Sequence, residues 1–162
     1  MLHLNAVRLN KLHQLIQSGL QSADWLPIKD GQQERSITHH CVGPVVQSVM
    51  ESIGEKQLIL RHDGAIAPRS IIRYGMSFSP DIEISLYSQK CLAVEVKILR
   101  DHDASGSITK AVGQTFMYKA LGFEKVVGLI FDTRKKVKTG LEQTLNELTK
   151  DNPDVSFILI KQ

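Results

Sequence analysis

From Asp81 to Leu99 the chain alternates apolar and polar residues in two successive runs, and this period of two commits the segment to paired β-strands. In the first run Ile82, Ile84 and Leu86 point one way, and Asp81, Glu83, Ser85 and Tyr87 the other. In the second, Cys91 to Leu99, the residues Leu92, Val94, Val96 and Ile98 form the apolar set, while Ala93, Glu95 and Lys97 share the opposite side. With Ser88-Gln89-Lys90 as a short hairpin loop, Tyr87 faces Cys91, Asp81 faces Lys97 and Glu83 faces Glu95. Asp81 then reaches Glu95 along the diagonal, about 7 Å away. A slip of one residue would expose one apolar set and bury the wrong one, so burial itself selects the faces.

Three carboxylates on so small a patch repel one another unless a cation, a shared proton or open solvent relieves them. Hard oxygen ligands of this kind suit Mg2+ or Mn2+, which keep several waters and complete their shell with phosphate oxygens. A lysine beside them can orient or deprotonate a water, or offset charge growing on phosphorus. The plainer alternative is an antiparallel hairpin with one wet face, which carries such residues without any chemistry.

Composition narrows the setting. The 162 residues suffice for one domain with a real core, and 42% hydrophobic with 23% charged is ordinary globular usage. There is no apolar run near about eighteen residues, no basic-then-apolar leader and no repeat, so the expectation is a soluble, cytoplasmic protein without a membrane partner. Cys41 and Cys91 have no CxxC spacing and are expected as small buried side chains rather than a disulfide or zinc site. A net charge of +3 and a pI near 8.9 permit nucleic-acid binding without demanding it.

Periodicity orders the elements. Leu4, Val7, Leu12, Leu15, Ile16 and Leu20 predict an amphipathic first helix, closed by a loop from Ser22 to Gly31. Val45, Val46, Val49, Met50 and Ile53 predict a second, with Gly43-Pro44 either starting it or kinking a longer helix that begins near Glu34. Gly54 stops it, Gln57 to Arg61 reads as a short strand, and Gly64 to Gly75 as a loop. After the hairpin and a polar turn from Asp101 to Gly106, Ser107 caps a third helix that runs to Leu121 and ends at Gly122. The unbroken apolar run Lys125 to Phe131 predicts a strand buried on both faces. A helix from Lys138 to Thr149 and a strand from Val155 to Ile160 complete the chain.

On the third helix Lys110, Gln114 and Tyr118 recur every four residues as one polar stripe, opposite Ile108, Val112, Phe116 and Ala120. A glutamine and a tyrosine one turn apart can address the same ligand, or simply decorate a solvated face. Following the carboxylate hairpin in this order, they make the segment Glu34 to Phe131 resemble the PD-(D/E)xK phosphodiesterase superfamily, the fold of many restriction enzymes, resolvases and repair exonucleases. The resemblance implies an α/β, restriction-endonuclease-like core, a central mixed sheet flanked by helices in α-β-β-β-α-β order, with residues 1–30 as an added N-terminal helix and loop and 31–162 as the nuclease-like domain. It assigns Asp81, Glu95 and the Val96 carbonyl to Mg2+ (or Mn2+) and Lys97 to the attacking water. Gln114 and Tyr118 look like the Gln-x-x-x-Tyr feature of RecB-like and lambda-exonuclease-like members, with Lys110, Gln114 and Arg100 positioning the backbone of DNA. Relatives add an acidic residue or a histidine from the first core helix, a role for which Glu51, Glu34 and His40 compete, with Glu83 as another source of a carboxylate.

The function so implied is a Mg2+-dependent deoxyribonuclease that hydrolyses phosphodiester bonds. Two other readings stand beside it: a non-catalytic nucleic-acid-binding module or subunit of a DNA-processing complex, and an interaction protein whose N-terminal helix docks on a partner or a twin in a homodimer.

Overall fold

A computed structural model describes residues 3–73, 75–135 and 140–162. The elements run α1 (Ala6–Ser22), α2 (Glu34–Ile37), a π-helical turn (Thr38–Val42), α3 (Gly43–Ile53), β1 (Ile59–His62), β2 (Ile71–Arg73), β3 (Met76–Phe78), β4 (Ile82–Leu86), β5 (Gln89–Leu99), α4 (Ala104–Ala120), β6 (Lys125–Asp132), α5 (Leu141–Asp151) and β7 (Val155–Lys161). Five strands form one mixed sheet in the order β1-β4-β5-β6-β7, antiparallel from β1 to β5 and parallel from β5 to β7. Parallel neighbours need a crossover, and α4 and α5 supply the two. The fold class is therefore α/β.

The alternation sorts side chains as expected. Ile82, Ile84, Leu92, Val94, Val96 and Ile98 pack with Val127, Leu129 and Phe131 under α1 and α3. On the other face Ala93, Leu99, Val126 and Ile130 lie under α4 and α5. Strand β6 is buried at all eight positions, as its unbroken apolar run requires.

The pairing partners differ from the expectation by two residues. The turn is the tighter Tyr87-Ser88, with Tyr87 at φ 51°, the left-handed conformation that two-residue hairpin turns favour. Ser85 pairs Lys90 while Ile84 pairs Leu92, so Cys91 is taken up in a bulge. Glu83 consequently faces Ala93 rather than Glu95, and Asp81, one step beyond the Ile82–Val94 pair, comes level with Glu95 rather than Lys97. An even shift keeps every side chain on its face, which is why patterning alone did not fix it.

The second helix takes the longer of its two predicted forms. It begins at Glu34 and passes through a π-helical turn just before Pro44, which lacks an N–H and whose ring crowds the preceding turn. Gly54 ends it at φ 71°. The expected loop from Gly64 to Gly75 instead contains β2, paired with β3 in a separate two-stranded sheet. Helix α4 starts at Ala104 with Asp103 at its N-cap, four residues ahead of the predicted cap, Ser107. Lys138 and Thr139, the predicted start of the last helix, lie outside the described residues, and α5 begins at Leu141. Both cysteines are free thiols; Cys91 is buried, Cys41 only half-buried. Among the described residues no helix is long and apolar enough to cross a membrane.

On α1, Asn5 caps the Arg8 N–H at 3.0 Å, and Leu9, Leu12, Ile16 and Leu20 face the sheet. Val7, expected inside, is 76% exposed, and His13 takes an inward position instead. Its Nε2 lies 2.9 Å from the Ser156 hydroxyl. Burial, with help from the Lys125 charge, lowers its pKa from 6.5 to about 4. A group depressed in the folded state contributes stability above its unfolded pKa and loses it on acidification, here between pH 6.5 and about 4. The expected contribution is roughly 3 kcal/mol. Urea denaturation at pH 7 and pH 4.5 checks it: His13→Gln should show a smaller loss between the two than the unsubstituted chain, and equal losses would reject it.

Candidate active site

Strand β5 runs beyond the end of β4, whose last paired residue, Ile82, meets Val94. The backbone N–H groups of Val96 and Ile98 on that edge therefore have no strand partner, and two carboxylates take them. Asp81 Oδ2 accepts from Val96 N at 2.7 Å, and Glu34 Oε1 accepts from Ile98 N at 3.2 Å. The notch left by the missing strand is thus lined by acids from two separate elements.

Lys97 sits between two acids. Its Nζ lies 2.8 Å from Glu95 Oε1 and 3.0 Å from Glu34 Oε2, and donates to the Val96 carbonyl at 3.2 Å. Of the three competitors from the first core helix, Glu34 is the one brought here, because the continuous helix starts at this residue. Glu51 lies on an exposed turn of α3, accepting from Gln47 at 3.0 Å, and His40 is exposed and stacked on His39.

The protonation balance follows from this geometry. Burial is the main cause that raises the Asp81 pKa, partly countered by the Val96 N–H and Lys97, while Glu34 and Asp63 push it further up. Glu95, 3% exposed, is raised to about 7 by burial and then by Asp81, against the pull of Lys97 and Tyr118. Burial alone would lower Lys97, but Glu95 and Glu34 outweigh it and hold the ammonium more firmly protonated than usual. Lys97 is therefore held as a fixed cation and donor, an arrangement that does not favour the water deprotonation the sequence allowed.

Two further features shape the pocket. Glycine at position 128, level with Glu95 on the neighbouring strand, has no side chain, and a Cβ there would meet Thr115 Oγ1 at 2.8 Å and the Phe157 ring at 2.7 Å. This absence lets α4 lie close to the sheet. Tyr118 is thereby buried, not part of a solvated stripe, and its hydroxyl donates to the Ser79 carbonyl at 2.8 Å beside Asp81 and Glu95. Burial, then those two acids, raises its pKa. Gln114 is half-buried one turn earlier, whereas Lys110 is exposed, and Ile108, Val112 and Phe116 are only partly buried around Ala111 and Thr115. Arg100 donates to the Gln32 carbonyl and lines, with Glu34, His102, Asp103 and Ser107, a polar cleft of about 470 Å³ next to the acids.

Glu83 belongs to a different network. It is 1% exposed, and Arg69 clamps it through its main-chain N–H at 2.9 Å and its Nε at 2.7 Å, with Arg61 at 3.6 Å. Two arginines thus relieve the repulsion that the sequence suggested, and the polar face of the hairpin is buried rather than wet. Asp63 is the acid that sequence reading missed. It lies one step beyond the His62–Ile82 pair, level with Asp81, and its carboxylate meets Arg35 Nε at 2.9 Å. A charged residue just past a short strand was its only signal.

Among the described residues no three His, Cys, Asp or Glu side chains converge as a ready-made metal cage. Asp81, Glu95 and the Val96 carbonyl nonetheless form a set of hard oxygen donors at adjacent positions, and the burial that raises both acids is a cost a divalent cation would relieve. Comparison with protein-family models, with curated proteins and with solved structures gave no match for this chain.

Proposed function

We propose that this chain is a Mg2+-dependent nuclease with a restriction-endonuclease-like core of the PD-(D/E)xK type, hydrolysing DNA phosphodiester bonds. The observation that carries this reading is the notch where β5 outruns β4, at which Asp81, Glu95, Lys97 and Glu34 meet over two otherwise unpartnered backbone N–H groups. A bound Mg2+ would polarise the phosphate and lower the pKa of a coordinated water. Asp81, Glu95 and the Val96 carbonyl would hold it. Lys97 orients the attacking water and offsets charge on the phosphate, Glu34 fixes the Lys97 ammonium, and Tyr118 steadies Glu95 from the helix side. Arg100 and Lys110 contribute positive charge for the flanking phosphates, and Gln114 a polar contact.

One observation favours a second reading, a binding module without turnover: Lys97 already pairs with both Glu34 and Glu95, so part of the negative charge is offset without a metal. The two separate on supercoiled, linear and branched DNA incubated with Mg2+, Mn2+ or EDTA. Cleavage that requires metal and is lost in Asp81→Ala is the expected result. Retention of DNA with no cleavage of any substrate would reject the nuclease and leave the module.

A further inference from the structure

The β2–β3 hairpin lies outside the main sheet and has no part in the carboxylate site, yet it is fastened to it on two sides. Ile71 and Phe78 at its base pack with Tyr118 and Phe123. Arg69, just before β2, clamps Glu83. Past Phe78 the chain runs through Ser79, whose carbonyl holds the Tyr118 hydroxyl, and Pro80 directly into Asp81. Whatever the far end of the hairpin touches is thereby held at a fixed offset from the acids.

Two large apolar side chains of the hairpin stand in solvent. Ile72 is 72% exposed and Met76 53% exposed. In the Ile71–Phe78, Ile72–Ser77 and Arg73–Met76 pairing they fall on opposite faces, so the apolar groups form two sides of a blade rather than one docking face. Its charge has one sign. Residues 64–80 include Arg69 and Arg73 and no Asp or Glu, and Lys90 lies within electrostatic reach of both arginines. With Arg69 held by Glu83, an apolar blade whose remaining charged side chain is Arg73 is complementary to stacked bases bordered by phosphates.

We propose that the β2–β3 hairpin is a base-unstacking wedge, with Ile72 and Met76 entering between bases of DNA while Arg73 meets an adjoining phosphate. This inference rests on the nucleic-acid reading of the site and deepens it: the favoured substrate is a duplex opened beside the cleaved bond, such as a branch, a mismatch or a fraying end.

The test uses a duplex carrying 2-aminopurine, whose fluorescence rises on unstacking, titrated with the full chain in EDTA so that cleavage plays no part. A several-fold rise for the unsubstituted chain, lost in Ile72→Ser/Met76→Ser, supports the wedge. In parallel with Mg2+, the double variant should lose about tenfold on duplex and little on single-stranded DNA, since only the duplex requires unstacking. Both side chains are exposed, so an unchanged thermal midpoint verifies folding. Arg73→Ala gives an independent arm, lowering the salt dependence of binding by about one ion. No fluorescence rise, or an equal rise in the double variant, overturns the wedge even if cleavage is normal. So does a change of oligomeric mass in the variant with no fluorescence effect, which assigns the blade to a protein contact. A rise without cleavage by the unsubstituted chain defeats the nuclease and keeps the wedge.

Discussion

Lys97→Ala should lower Mg2+-supported cleavage by about a thousandfold while DNA binding in EDTA changes little. Among the described residues the ammonium is the one cation that pairs with both Glu34 and Glu95, and its raised pKa keeps it charged throughout the working range. Removing it takes away the group that orients water, but it also frees Glu95 from a competitor for metal. The concentration of Mg2+ needed for half-maximal residual activity should therefore stay the same or fall, which separates lost chemistry from lost metal binding. Glu34→Gln is the companion. It keeps a donor–acceptor side chain near Ile98 N–H but weakens the hold on Lys97, and a loss of about tenfold is expected, as for a positioning residue. Cleavage by Lys97→Ala equal to that of the unsubstituted chain would remove Lys97 from the mechanism.

Much of this site was legible because strand alternation is a face rule. It placed Asp81, Glu95 and Lys97 on one side of the sheet without knowledge of which residues pair, and the two-residue shift in pairing left those faces intact. What the alternation could not give was burial of that side, since the closeness of α4 depends on Gly128 in a strand distant in sequence. For the same reason Tyr118 looked like part of a solvated stripe. Glu34 was one of three competitors until the π-helical turn joined α2 to α3 and set where the helix begins. Asp63 and the arginines on Glu83 escaped notice because long-range pairing, not local pattern, brings them together. The β2–β3 hairpin was lost among loop residues for a different reason: strands of three residues are too short for a period of two to register.

Glu95→Gln should make the metal-free protein more stable at pH 8 while it abolishes cleavage. The acid is buried, and its pKa stands at about 7 against an ordinary 4.5 because burial and the nearby Asp81 both oppose its charge. A carboxyl raised in the folded state holds its proton more tightly there than in the unfolded chain. Its contribution is therefore complete below pH 4.5 and disappears as pH rises through about 7. At pH 8 the folded chain carries a desolvated charge that the glutamine lacks, a difference on the order of 3 kcal/mol in favour of the variant. At pH 4.5 both side chains are neutral in the folded chain and the difference should nearly vanish. Urea denaturation in EDTA at the two pH values reads this directly. Added Mg2+ should then reverse the order at pH 8, raising the midpoint of the unsubstituted chain and not that of Glu95→Gln, because only the carboxylate offers the cation its charge. A variant less stable than the unsubstituted chain in EDTA at pH 8 would mean that the Lys97 ion pair outweighs the desolvation of Glu95, and the site would then be built for its own stability rather than for a metal.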